Sequence, residues 1–141
     1  MLPLRHARRW RIASIVLLLL VLVATLIPAV WIWPDKRQFV AWFIEVDKWL
    51  HAITFVLLAI WFAGQYRRRS YWRIGIGLVL FGVLIEACQR LVTYRSAEWF
   101  DIVADAAGIT VGLAVAMAGL GGWSLRLENW FASRRAGIRI D

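Results

Sequence analysis

Residues 72–92 read WRIGIGLVLFGVLIEACQRLV. The run is apolar almost throughout, with Arg73 near one end and Glu86 and Arg90 toward the other. About 20 helical residues cross a hydrocarbon layer of about 30 Å, and this stretch has that length. Backbone groups in lipid must be satisfied internally, so a spanning segment is a helix or part of a closed barrel. A barrel strand alternates lipid-facing and lumen-facing residues over about ten positions, whereas this run is continuous. Glu86 lies about 21 Å of helical rise from Trp72, well inside the apolar run. A charge at the bilayer centre costs about 2.5–3.5 kcal/mol on insertion scales, so such a residue faces other helices or a wet cavity. One stretch therefore indicates both a membrane helix and a place to look for function.

Three further runs have the same character: residues 12–31, 49–66 and 101–122. The first follows Arg5, Arg8, Arg9 and Arg11, as a secretory signal would. Its uncharged stretch, residues 12–32, exceeds the usual signal core of about 7–15 residues, and no A-x-A pattern follows. It reads as a retained first span that also serves as signal anchor. Of 141 residues, 62% are hydrophobic and 18% charged, against about half and a quarter in soluble domains. Four spans leave little chain for anything else. The expected architecture is all-α: a polytopic, four-transmembrane-helix bundle forming one membrane domain over residues 1–141. In the first connection, Phe39, Val40, Phe43, Ile44 and Val46 are spaced for one side of a short interfacial helix. No internal repeat is evident. The lone Cys88 permits no intrachain disulfide and no thiol zinc knuckle, and reads as a small apolar helix residue.

The net charge of +8 would suit nucleic acid, but the basic residues flank apolar runs and no nucleic-acid motif accompanies them. No nucleic-acid partner is expected. Arg5, Arg8, Arg9 and Arg11 precede span one; Arg67, Arg68, Arg69 and Arg73 join spans two and three; Arg126, Arg134, Arg135 and Arg139 follow span four. Only Lys36, Arg37, Lys48, Arg90 and Arg95 fall at the other end. Short loops rich in Lys and Arg stay cytoplasmic, which places both termini inside. Acids sort oppositely. Asp35, Glu45, Asp47, Glu86, Glu98, Asp101 and Asp105 belong to the outer end, and only Glu128 and Asp141 to the inner. Acids contribute little to topology, so their concentration outside points to use. Tryptophans mark both boundaries, with Trp61 alone well within a span.

Helical spacing groups the polar residues. Asp47, Lys48 and His51 meet at one helix edge. Gly75, Gly82, Glu86 and Gln89 form one stripe of span three, small below and polar above. Asp101, Asp105, Gly108 and Gly112 form another on span four, and Gly108 and Gly112 carry the GxxxG spacing of close helix packing. The pattern predicts a tight bundle opening outward into a polar pocket. A structural reading stays open beside it: Glu86, Asp101 and Asp105 pair with Lys48, Arg90 and Arg95 to fix helix register, and His51 is a neutral interface histidine.

These residues resemble the VanZ-like family of small bacterial membrane proteins over about residues 47–113. The likeness rests on Asp47, Lys48 and His51 (Asp-Lys-x-x-His), on Glu86 and Gln89 (Glu-x-x-Gln), and on Arg95 and Ser96 followed by Asp101 and Gly108. The family commonly carries Asn where this chain has Asp105. The resemblance implies a multi-pass protein of the bacterial cytoplasmic (inner) membrane with an envelope function at its outer face. The family name comes from a protein linked to teicoplanin resistance. The candidate ligand-binding residues are Asp47, Lys48, His51, Glu86, Gln89, Arg95, Ser96, Asp101 and Asp105.

Three functions compete. In the first, a non-enzymatic pocket binds a lipid headgroup, a cell-wall precursor or a glycopeptide antibiotic, with Lys48, Arg90 and Arg95 on phosphate or carboxylate. In the second, a membrane enzyme acts on a lipid-linked envelope substrate, with His51 as base oriented by Asp47, and Glu86 as a carboxyl in low dielectric. Asp101, Asp105 and Glu86 would then be the oxygen ligands for a divalent ion. The sequence has no nucleophile motif, no HExxH and no phosphate loop, and Ser96 reads as a loop or cap residue. The third, an ion-coupled carrier, lacks an inverted repeat or broken helix. No cofactor and no dedicated metal site are expected; the expected partners are membrane lipids and an envelope precursor or lipoglycopeptide. Nothing in the residues assigns an oligomeric state.

Overall fold

Large apolar side chains face outward along every long helix, the reverse of a water-soluble fold. Leu57, Leu80 and Val103 are each more than 60% exposed. Water would charge about 25 cal/mol for every Å² of such surface, whereas acyl chains do not. A computed structural model describes residues 1–26, 36–91 and 99–137, with side chains for residues 1–26, 48–91 and 100–134. The elements are α1 (Ala7–Leu26), α2 (Lys36–Gln65), a single 3₁₀ turn (Arg68–Ser70), α3 (Tyr71–Arg90), α4 (Trp99–Val115) running into a π turn (Ala116–Leu120), and α5 (Trp123–Gly137). There is no strand among the described residues. Four helical stretches are long and apolar enough to cross a membrane: Ala7–Leu26, Lys48–Gln65, Arg68–Arg90 and Phe100–Arg134. The all-α, four-span expectation is met.

Three boundaries differ from the sequence reading. Helix α1 begins at Ala7, ahead of the apolar run, because arginine is a good helix former and does not stop a helix. The interfacial helix expected in the first connection is not separate: α2 is continuous from Lys36 to Gln65, with no Gly or Pro along that stretch before Gly64 to break it. The C-terminal tail contains a helix, α5, that charge counting does not reveal. A turn at Gly121 and Gly122 sets α5 off from span four. Gly122 has φ +72°, a region that favours glycine, and its N–H donates to the Ala63 carbonyl at 3.1 Å.

The most extensive contact joins α2 and α4. It depends on the absence of side chains. A Cβ on Gly108 would strike the Ala52 carbonyl, and one on Gly112 would lie 2.6 Å from the Val56 carbonyl oxygen. The GxxxG spacing thus brings two backbones together, as small residues do between membrane helices. Helix α3 closes the bundle through Ile74, Leu78 and Ile85, which pack with Phe55, Leu58 and Ile109. Helix α1 is the outlier. Only Ser14 is buried on it, and it leans on the core through Leu17, Leu18, Val21 and Leu22.

The N-terminal segment, the connection between α2 and α3, and the start of α5 share one end of the bundle. The Leu2 N–H donates to the Gln65 carbonyl at 2.8 Å, and the Arg68 guanidinium to the Met117 carbonyl at 2.6 Å. Glu128 on α5 accepts from the Arg5 N–H (2.7 Å), the His6 N–H (3.1 Å) and the Trp10 indole N–H (2.9 Å). The basic residues of the N-terminal segment, of the α2–α3 connection and of the described part of α5 therefore share one end, here called the arginine-rich end.

Candidate functional site

At the opposite end, three helices deliver polar side chains inward. Helix α2 supplies His51, α3 supplies Glu86 and Gln89, and α4 supplies Asp101 and Asp105. All are buried, between 0% and 5% exposed. Their placement follows from helix periodicity. Gly82, Glu86 and Gln89 lie on the face of α3 that also buries Leu78 and Ile85. On α4, Asp101 and Asp105 lie on the same face as Gly108 and Gly112, the residues that press against α2.

Asp105 is the centre of the cluster. Its Oδ1 lies 3.0 Å from His51 Nδ1. A Cβ placed on Gly82 would come within 2.6 Å of its Oδ2 and 3.4 Å of the Phe55 ring. Gly82 thus leaves the space that the Asp105 carboxylate occupies between α2 and α3. The sequence reading assigned His51 to Asp47 as orienting partner. The described partner is Asp105, from a different helix, and the Asp47 side chain lies outside the described residues. So do Arg95 and Ser96.

Glu86 differs from its neighbours. Neither of its carboxylate oxygens has a hydrogen-bond partner among the described residues. Among the described residues, Arg90 one turn along the same helix is the cation paired with it, 4.0 Å away and itself 56% exposed. The ionisable groups near Glu86 also include Asp101, His51 and Asp105, so the polar residues of all three helices share one locus. Gln89 donates from Nε2 to the Thr25 carbonyl on α1 at 3.2 Å, while its Oε1 has no partner among the described residues. Lys48 lies at the edge of this locus with its ammonium 5.1 Å from the Phe100 ring centroid. Glu86, Asp101 and Asp105 do not form a ready cation cage: among the described residues no three His, Cys, Asp or Glu side chains are grouped to hold a metal ion.

Two contributions are absent from the sequence reading. One is the part of α1 in this locus through the Thr25 carbonyl, a backbone atom that residue types cannot reveal. The other is a second polar network, at the arginine-rich end. Ser14 Oγ accepts from Trp61 Nε1 (2.9 Å) and Gln65 Nε2 (3.0 Å) and donates to the Trp10 carbonyl (2.9 Å). Trp10, Trp61 and Trp123 pack beside it in tilted and edge-to-face pairs with centroids 5.4–5.6 Å apart. The available signal was Ser14 and Gln65, lone polar residues inside apolar runs. Glu128 closes this end. Burial alone would raise its carboxyl, but the backbone N–H groups of Arg5 and His6 and the Trp10 indole hold it below its ordinary value.

Four apolar helices around a buried polar cluster define a polytopic membrane protein whose ionisable groups face its own interior. A family model described as VanZ/LLP1 matches residues 4–120, and the chain belongs to that family. The match reaches well beyond residues 47–113, taking in α1 and the π turn. Neither a curated protein nor a solved structure matches the chain.

Proposed function

We propose that the cluster around Asp105 is the ligand site of an envelope protein in the bacterial cytoplasmic membrane, with the arginine-rich end in the cytoplasm and the site toward the outer face. The ligand is a lipid headgroup, a cell-wall precursor or a glycopeptide antibiotic. One observation carries this reading: Glu86 is buried with both oxygens lacking a hydrogen-bond partner among the described residues. A buried acceptor without a donor costs about 1–3 kcal/mol, more if charged. An amine or hydroxyl brought by a ligand removes that cost, and Gln89 Oε1 offers a second acceptor beside it. The basic side chains Lys48 and Arg90, with Arg95, suit the phosphate or carboxylate of the same ligand. The orientation is supported by the gathering of basic clusters at one end. Vancomycin-type and lipoglycopeptide binding to cells with and without the gene, measured with fluorescent teicoplanin, tests the antibiotic version. A changed surface signal that reverts in Glu86→Gln supports it; identical binding in all three strains rejects it.

The His51–Asp105 contact favours a second reading. An imidazole held at Nδ1 by a buried carboxylate is the arrangement of a general base. In that reading Asp105 orients His51, and a lipid-linked substrate is the target. Turnover of envelope lipids by purified protein, abolished in His51→Ala, would establish it; absence of turnover leaves the binding role.

A further inference from the structure

A groove of about 390 Å³ opens between α1, α2 and α3 in the arginine-rich half, away from the Asp105 cluster. Leu18, Phe62, Ile74, Leu78 and Phe81 make its apolar walls. Tyr66, Ser70 and Arg73 stand at its boundary end. Its floor at Gly77 is open: a Cβ there would meet no atom within 4 Å. We propose that this groove binds one phospholipid of net negative charge from the leaflet at the arginine-rich end, with an acyl chain along the walls and the phosphate on Arg73.

Length, charge and chemistry each support that occupant. From Ser70 to Phe81 the helix rises about 16 Å, which matches one leaflet of a hydrocarbon layer about 30 Å thick. Arg73 lies at the headgroup end of that rise, and no carboxylate pairs with it among the described residues. Its guanidinium carbon lies 5.1 Å from the Trp72 ring centroid, a contact that keeps the cation at the interface. A guanidinium takes a phosphate through paired, charge-assisted hydrogen bonds. Arg73 favours a lipid with net negative charge over a zwitterion, whose choline ammonium offsets its phosphate.

The test uses the full chain in nanodiscs containing equal phosphatidylglycerol and phosphatidylcholine, with retained lipid counted by native mass spectrometry. Wild type is expected to keep one phosphatidylglycerol, preferred about fivefold over phosphatidylcholine, the effect of one interfacial cation. Arg73→Gln should remove the preference. Gly77→Leu should remove retention of both lipids, and it adds its side chain to open space on a helix that gains propensity. Unchanged melting temperatures of both variants show that they fold. Equal retention of the two lipids by wild type, or either variant behaving as wild type, overturns the proposal. Recovery of a lipid-free dimer that Gly77→Leu dissociates also overturns it and assigns the groove to a second copy of the chain.

Discussion

The two ends of the bundle differ in how completely their buried polar groups are paired. At the arginine-rich end the buried groups are paired. Ser14 serves Trp61 and Gln65, Ser124 donates to the Gly64 carbonyl, the Tyr71 hydroxyl to the Ala63 carbonyl, and Glu128 takes three donors. At the other end, Glu86 and Gln89 Oε1 lie as deep and have acceptor oxygens without described donors. That end is also fastened in part, by the His51–Asp105 contact and by Gln89 on the Thr25 carbonyl, and it is incomplete at Glu86 and at Gln89 Oε1. Polar residues in a membrane helix are therefore not one class of evidence. Those whose partners are complete act as fasteners between helices, and those left incomplete are what the proposed ligand site rests on.

The largest effect should come from the joint that serves both ends. In Gly108→Leu, the new side chain collides with the Ala52 backbone, and the overpacking should cost more than about 3 kcal/mol. Loss of a monodisperse peak on size-exclusion chromatography in mild detergent is the expected result. A variant with the wild-type profile would mean that α2 and α4 do not touch there. Next comes the satisfied network. Ser14→Ala removes the acceptor shared by Trp61 and Gln65 and should destabilise by about 1–2 kcal/mol, read as a lower unfolding midpoint in detergent. An unshifted midpoint would erase the contrast between the ends.

A smaller effect belongs to Glu128. Its folded carboxyl is held below the ordinary value of 4.5, so its stabilisation is complete above that pH and is lost as pH falls through the lower folded value. Acidification below 4.5 should lower the wild-type melting temperature, and Glu128→Gln should flatten that fall. Equal acid sensitivity in both would show that the grip on the N-terminal segment adds no stability.

The sequence made the fold legible where physics is one-dimensional. Run length, the position of Glu86 in an apolar helix and the GxxxG spacing of Gly108 and Gly112 all survive into three dimensions, because helix rise and periodicity are local properties. Partner choice is not local. Spacing along α2 puts Asp47 beside His51, and the bundle adds a contact that spacing along one helix cannot show, from Asp105 across the α2–α4 interface. Gly82 reads as a packing glycine, yet its missing side chain is what leaves room for the Asp105 carboxylate. Helix α5 was hidden because the arginines that mark the boundary say nothing about whether the boundary segment is helical. The second polar network was signalled by Ser14 and Gln65, and only the bundle shows that they meet.

The most direct measurement is the melting temperature of Glu86→Gln against wild type, each with and without teicoplanin. The account predicts a ligand-free variant at least as stable as wild type, because a buried carboxylate lacking donors is replaced by a neutral amide. It also predicts that the ligand-induced rise seen in wild type is lost. A ligand-free variant that melts well below wild type would contradict it, since Glu86 would then be one more fastener of the fold.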